Sequence, residues 1–298
     1  MLAGSMVALV TPMDADGAVN YADLDGLIDF HAEAGTEALV IAGTTGESAT
    51  LDHREHVELI AKACELARGR MPIIAGTGSN STAQTLRLSQ EVDRLPVQAF
   101  LVVTPYYNKP TQEGMYRHFC TIADAVAKPL ILYNVPGRTA VDLKPETVAR
   151  LATHGNIRSI KEATGDLERV ARLRESCGRG FSLLSGDDAT ACEFMLRGGD
   201  GVISVTANVA AAAMRRLCDA ARAGRREEAL RIDAALQPLH RNLFLESNPI
   251  PVKWAVRQMG LAGPGIRLPL TELAAQYHDD VRAAMQAADV APGPARRA

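Results

Sequence analysis

The stretch Ile157-Arg158-Ser159-Ile160-Lys161-Glu162-Ala163-Thr164-Gly165-Asp166 shows the unit from which the chain is built. A short β-prone run ends on a lysine, and a turn of Thr, Gly and Asp follows at once. Seven other apolar, β-branched runs have the same form, each closing on small, polar or Pro/Gly residues. They are Met6–Val10, Ala38–Ile41, Pro72–Ala75, Ala99–Val103, Leu130–Tyr133, Phe181–Leu184 and Val202–Val205. The runs are near-continuously apolar, as strands covered on both faces are.

Helical patterns lie between them. Tyr21–Ala34 sets Leu24, Leu27, Ile28 and Phe30 on one side, and His53–Ala67 does the same with Val57, Ile60, Ala61 and Cys64. Glu146–Ala152 opens behind Pro145, a residue suited to a first helical turn. Strict β/α alternation implies a parallel sheet. Eight repeats imply a closed (β/α)8 TIM barrel rather than an open sheet. After Val205 no further strand is evident, and helices are expected over Ala210–Ala223, Arg226–Asn242, Pro251–Met259 and Leu270–Ala287. The expected organisation is a barrel over residues 1–224 and a C-terminal helical domain over 225–298, ending in an unstructured tail from Pro292 to Ala298.

The 298 residues are 47% hydrophobic and 22% charged with a net charge of −3. No basic run stands out, which argues against nucleic acid or an anionic membrane as partner. No stretch is long and apolar enough to cross a membrane, and the N-terminus lacks the basic and apolar regions of a signal peptide. Five scattered cysteines without a C-x-x-C pair fit free thiols in a reducing cytoplasm. His53 and His56 lie about one helical turn apart, but no further His or Cys completes a metal set at ligand spacing. Gly76-x-Gly78 lacks the third glycine of a dinucleotide fingerprint.

In such a barrel the chemistry sits at the carboxyl ends of the strands. Those ends carry Thr44, Thr45, Tyr106, Tyr107, Tyr133, Arg138, Lys161 and Gly186. A lysine at a buried strand end can serve as an amine nucleophile that forms a Schiff base with a carbonyl substrate. A bland alternative is a lysine that snorkels from the strand end into water. The Tyr133 phenol could give and take protons while a carbinolamine forms and dehydrates. Threonine hydroxyls and backbone N–H groups in a Gly-rich turn can hold one carboxylate, and the planar fork of Arg138 can hold a second.

Five stretches together resemble one family. They are Gly43-Thr44-Thr45-Gly46-Glu47, Thr104-Pro105-Tyr106-Tyr107-Asn108-Lys109-Pro110, Tyr133-Asn134-Val135-Pro136-Gly137-Arg138-Thr139, Ile160-Lys161-Glu162-Ala163 and Asn248-Pro249-Ile250-Pro251-Val252-Lys253. Their order and spacing resemble the 4-hydroxy-tetrahydrodipicolinate (dihydrodipicolinate) synthase family over nearly the whole chain. The resemblance implies a pyruvate-dependent class I aldolase that condenses pyruvate with L-aspartate 4-semialdehyde on the route to diaminopimelate and lysine, without metal or organic cofactor. It implies that Lys161 forms the Schiff base. It also implies that Thr45, Tyr133 and Tyr107 relay protons with Thr44 in support, Tyr107 reaching in from a neighbouring subunit. By the same resemblance Arg138 holds the semialdehyde carboxylate, Gly186 and Ile203 line the pyruvate pocket, and the protein is a homotetramer of paired tight dimers.

N-acetylneuraminate lyases and keto-deoxy sugar acid aldolases share the lysine and the Tyr133 position. Arg138 and the Tyr106-Tyr107 pair favour the synthase. A barrel that binds metabolites without catalysis is the remaining alternative, and the intact set of chemical residues argues against it. The resemblance also implies inhibition by L-lysine at Ser48, Ala49, His53, His56, Asn80, Gln84 and Tyr106. Gln84 stands where lysine-sensitive members have glutamate. A neutral amide pairs with an ammonium less strongly than a carboxylate does, so weaker inhibition is expected.

Overall fold

The structure, a computed structural model, describes residues 2–293. Residues 294–298 of the expected tail lie outside the described residues, whereas the Gly293 amide donates to the Gln258 carbonyl at 3.1 Å. The chain runs β1 (Gly4–Ala8), α1 (Tyr21–Glu33), β2 (Ala38–Ile41), α2 (His53–Ala67), β3 (Ile73–Gly76), α3 (Thr82–Val92), β4 (Ala99–Val103) and α4 (Gln112–Asp124). It continues with β5 (Leu130–Asn134), a one-turn α5 (Pro136–Thr139), α6 (Pro145–Ala152), β6 (Ile157–Glu162), α7 (Glu168–Cys177), β7 (Ser182–Ser185), α8 (Ala191–Leu196), β8 (Gly201–Ser204) and α9 (Ala207–Arg222). Helices α10 (Arg226–Asn242), α11 (Ile250–Gln258) and α12 (His278–Ala287) follow.

The eight strands close into a parallel barrel in chain order, β8 pairing with β1. Alternation along each strand splits the core in two. Met6, Val40, Ile74, Leu101, Ile131, Tyr133, Leu184 and Ile203 fill the lumen. The other faces, with residues such as Val7, Leu39, Phe100, Leu132 and Ile160, pack against the helices. Side-chain caps start the early helices: Asn20, Asp52 and Thr111 accept from the N–H groups of Asp23, Glu55 and Gly114.

Strand ends differ from the sequence expectation where a side chain captures the backbone. β1 stops at Ala8 rather than Val10, because the Val10 N–H donates to Asn208 Oδ1 at 3.0 Å and Asn208 Nδ2 donates to the Ala8 carbonyl at 2.8 Å. β8 stops at Ser204 because the Val205 and Thr206 amides donate to Asp188 Oδ2 at 2.8 and 2.9 Å. The expected helix over Leu270–Ala287 forms only from His278, after a short turn at Ala275–Tyr277. Its first part is held open: Leu273 is buried and the Ala274 amide donates to Glu246 Oε2 at 3.3 Å. The expected start of a helix at Ala210 coincides with a break in helical geometry inside α9.

The segment after β8 returns over the barrel mouth. Arg267 donates to the carbonyls of Gly17 and Thr50 and pairs with Glu55 at 2.5 Å, fixing the C-terminal segment to the first two loops.

Candidate active site

Strand register brings the two central groups together. Tyr133 on β5 and Lys161 on β6 are paired residues, and alternation points both into the lumen. The Lys161 Nζ lies 4.3 Å from the centre of the Tyr133 ring. Both side chains are enclosed, at 5% and 6% exposure, so Lys161 does not snorkel into solvent. Gly186, just past β7, leaves the space they need. A Cβ there would lie 2.7 Å from Ala163 Cβ and 2.9 Å from Lys161 Cε. Ile203 faces the same lumen from β8, opposite Met6.

The loop after β2 supplies the threonines. Thr45 is buried and its Oγ1 accepts from Asn248 Nδ2 at 3.0 Å. Thr44 is half-buried and lines a cavity of about 620 Å³ with Arg138, Asn248 and Tyr106. Arg138, exposed on α5, reaches the Asn248 carbonyl at 3.4 Å. Asn248 therefore touches both loops at the mouth, and its Oδ1 is buried with no partner among the described residues. The motif Asn248–Lys253 alone assigns neither Asn248 nor Lys253 a role. Lys253 Nζ pairs with Glu47, whose side chain is fully enclosed, and the Arg267 amide donates to Glu47 Oε2 at 3.1 Å. Burial pulls the Lys253 ammonium below its ordinary range, and Glu47 pulls it back.

The backbone is strained where these loops turn. Ala42, Glu47, Tyr107 and Lys109 all have positive φ, a conformation that non-glycine residues adopt at a cost. The Gly76-x-Gly78 pair has a packing reason. A Cβ at Gly76 would sit 2.3 Å from the Ala42 carbonyl oxygen, and one at Gly78 would sit 2.4 Å from the Val103 nitrogen. Tyr107 is not drawn into the lumen of its own barrel: 87% of it is exposed.

Ser48, Ala49, His53, His56, Gln84 and Tyr106 line the same cavity as Thr44 and Arg138. Asn80 is not on that wall, and its carbonyl accepts from Asn108 Nδ2 at 2.8 Å. His56 is no surface histidine: it is buried, its Nε2 lies 2.7 Å from the Gly76 carbonyl, and burial lowers its pKa. His53 is half-exposed and pairs with Glu91 at 2.7 Å. Gln84 Oε1 accepts from Ser79 Oγ at 2.9 Å. Among the described residues no group of three His, Cys, Asp or Glu side chains could hold a metal ion.

A lysine enclosed at the strand ends of a (β/α)8 barrel, its nitrogen against a phenol ring, defines an aldolase-type lyase of the Schiff-base class. A family model described as the dihydrodipicolinate synthetase family matches residues 1–288, and the chain belongs to that family. It is 58% identical to the 4-hydroxy-tetrahydrodipicolinate synthase of Cellvibrio japonicus over 288 residues, covering 97% of this chain and 99% of the relative. Among solved structures it resembles a dihydrodipicolinate synthase from Acinetobacter baumannii, described as chloride-inhibited and complexed with pyruvate. That match has 50% identity and a TM-score of 0.96 over 98% of this chain and 100% of the other. The enzyme from Cyanidioschyzon merolae, solved with lysine bound, is 40% identical with a TM-score of 0.93 over 96% and 98% of the two chains.

Proposed function

We propose that the protein condenses pyruvate with L-aspartate 4-semialdehyde to 4-hydroxy-tetrahydrodipicolinate, with Lys161 as the nucleophile. The observation that carries this reading is the enclosed Lys161 nitrogen 4.3 Å from the Tyr133 ring centre. Lys161 Nζ attacks C2 of pyruvate, and the carbinolamine loses water to give an iminium. The positive nitrogen is the electron sink, so a methyl proton leaves and an enamine forms, without a metal or organic cofactor. The enamine carbon attacks the aldehyde, whose oxygen takes a proton and becomes the 4-hydroxyl. The semialdehyde amine then adds to C2, closes the ring and displaces Lys161. The sum is loss of one water from the two substrates.

Each step asks something of a placed group. Tyr133, beside the nitrogen, gives a proton to the departing hydroxyl, regains one when the methyl proton leaves, and gives that proton to the aldehyde oxygen. The Thr45 hydroxyl accepts from Asn248 and keeps its own proton free to donate to the pyruvate carboxylate. Thr44, on the cavity wall, joins the relay in support of Thr45 and Tyr133. Arg138 holds the semialdehyde carboxylate at the mouth. Tyr107, solvated in its own protomer, completes the relay of a neighbouring copy, within a homotetramer of paired dimers in the cytoplasm. Among the described residues no helix is long and apolar enough to cross a membrane.

The cavity beside the mouth takes L-lysine as a weak inhibitor. Ser48, His53, His56 and Tyr106 stand on one wall, as a lysine-binding relative makes reasonable, but Gln84 supplies an amide already engaged by Ser79. The primary test is borohydride reduction with pyruvate followed by peptide mass spectrometry. A reduced pyruvyl adduct is expected on the Lys161 peptide and none in Lys161→Ala. A folded wild type that traps no adduct overturns the reading.

A further inference from the structure

Behind the two reacting strands, on the face turned away from the lumen, lies a closed polar network that the reaction does not touch. Asn134 follows Tyr133 and Glu162 follows Lys161, and these too are paired residues. Alternation turns them outward to the helix layer, where both are buried, at 0% and 3% exposure. Asn134 Nδ2 donates to Glu162 Oε2 at 3.1 Å and to Asp142 Oδ1 at 2.9 Å, while Asn134 Oδ1 accepts from the Leu143 amide at 2.9 Å. Glu162 Oε1 accepts from the Thr164 amide at 2.8 Å. Arg169 on α7 closes the ring, forking onto both oxygens of Asp142 and reaching Glu162 Oε2 at 3.4 Å.

The arrangement is demanding. Burial pushes the Glu162 carboxyl above its usual range, against the bonds from Asn134, Thr164 and Arg169. Burial also opposes ionisation of Asp142, but Arg169 and Asn134 outweigh it and hold that carboxyl below its usual range. A buried ionic network of this kind is an uneconomical way to stabilise a fold, since an apolar contact of the same shape does as well. What it does supply is directionality. Among the described residues no hydrogen bond joins the Tyr133 and Lys161 side chains to set their separation, and the β5–β6 ladder is irregular lower down, its register shifting between Leu130 and Ile131.

We propose that Glu162 is a positioning residue for the reaction: bonded to Asn134 on the outer face, it clamps the ends of β5 and β6 and so sets the Lys161 nitrogen against the Tyr133 phenol on the inner face. This inference rests on the Schiff-base reading above. Glu162 touches no substrate and acts only through its strand neighbour. Thr164 and Arg169 anchor the Glu162 carboxylate from the loop and helix that follow β6, while Asp142 and Leu143 hold Asn134 from the segment after α5.

The experiment measures the rate of pyruvate-adduct formation on Lys161 by quenched-flow borohydride trapping, beside kcat and the two KM values. In Glu162→Ala, adduct formation and kcat are expected to fall at least tenfold, with the KM for the semialdehyde changed less than twofold. Glu162→Gln, which keeps one acceptor oxygen in place of two and so can serve the Thr164 amide but not the Asn134 amide at its 3.1 Å position, should recover part of the loss. If Glu162→Ala does not fold, Arg169→Met replaces it, and a fall of threefold or more in the trapping rate is expected. Unchanged trapping in the folded variant, with only a lower melting point, overturns the inference and leaves the network a structural one. A wild type that traps no adduct overturns the Schiff-base reading instead.

Discussion

Lys253→Met should destabilise the protein far more than a single surface-to-apolar change. The Glu47 side chain is fully enclosed and that of Lys253 is 6% exposed. Removing the ammonium leaves the buried carboxylate with the Arg267 amide at 3.1 Å as its remaining partner. Breaking one side of a buried pair costs about 3–5 kcal/mol, because an uncompensated charge stays behind. Unfolding entropy of about 2.1 cal/mol/K per residue, over this chain's 298 residues, converts that to a drop of roughly 5–8 °C in melting temperature. The assay is calorimetry at one protein concentration, since assembly shifts the midpoint. The double variant Glu47→Gln, Lys253→Met keeps an acceptor for the Arg267 amide and removes the stranded charge. It should regain most of the loss, to within about 1–2 kcal/mol of wild type. A shift under about 1 °C in Lys253→Met, or a double variant no better than the single, would refute the reasoning.

Three further outcomes follow from the same structure. Burial pushes the His31 imidazole down to about 3 and that of His118 to about 4. Each favours the fold fully above its unfolded value near 6.5, and that contribution is lost as pH falls toward the folded value. Urea unfolding should therefore show stability falling by about 1.5–2 kcal/mol for each of these histidines between pH 6.5 and pH 5, with buried His56 adding in the same direction and His31→Gln removing one histidine's share of the slope. Gly186→Ala should leave the protein folded but slow pyruvate trapping on the order of 10–100-fold, because the new methyl displaces the lysine side chain by a fraction of an ångström. In a lysine titration, Gln84→Glu should lower the half-inhibiting concentration about tenfold, the difference between a neutral and a charge-assisted bond; no leftward shift counts against the lysine site.

The barrel was legible because its information is local. A parallel strand covered on both faces tends to be apolar along its length, and the runs from Ala38 to Leu184 fall within a residue of their observed limits, with Ile157–Lys161 the polar exception through Arg158, Ser159 and Lys161. Lys161, Tyr133 and Gly186 were legible for a related reason, since strand ends in this fold converge on one mouth. What escaped depends on distant residues. Asn248 meets Thr45 and Lys253 meets Glu47 across separations of 203 and 206 residues, and no periodicity encodes such a pairing. Leu270–Ala274 has helical spacing, yet a buried leucine and the Glu246 carboxylate hold it open. Glu162 read as part of the lysine motif, but its role becomes visible only when register sets it beside Asn134.

The tie between Thr45 and Asn248 also orders events in time. Translation places the phenol, the nucleophile and all eight strands, the last ending at Ser204, before Asn248 emerges. Until then the threonine hydroxyl has no amide to orient it, Arg138 has no carbonyl to rest on, and Glu47 has no cation. A nascent or clipped chain that stops short of residue 248 therefore holds every reacting group without the residue that ties Thr45 to Arg138. Addition of the segment that carries Asn248 and Lys253 is the step that ties the mouth of a finished barrel together.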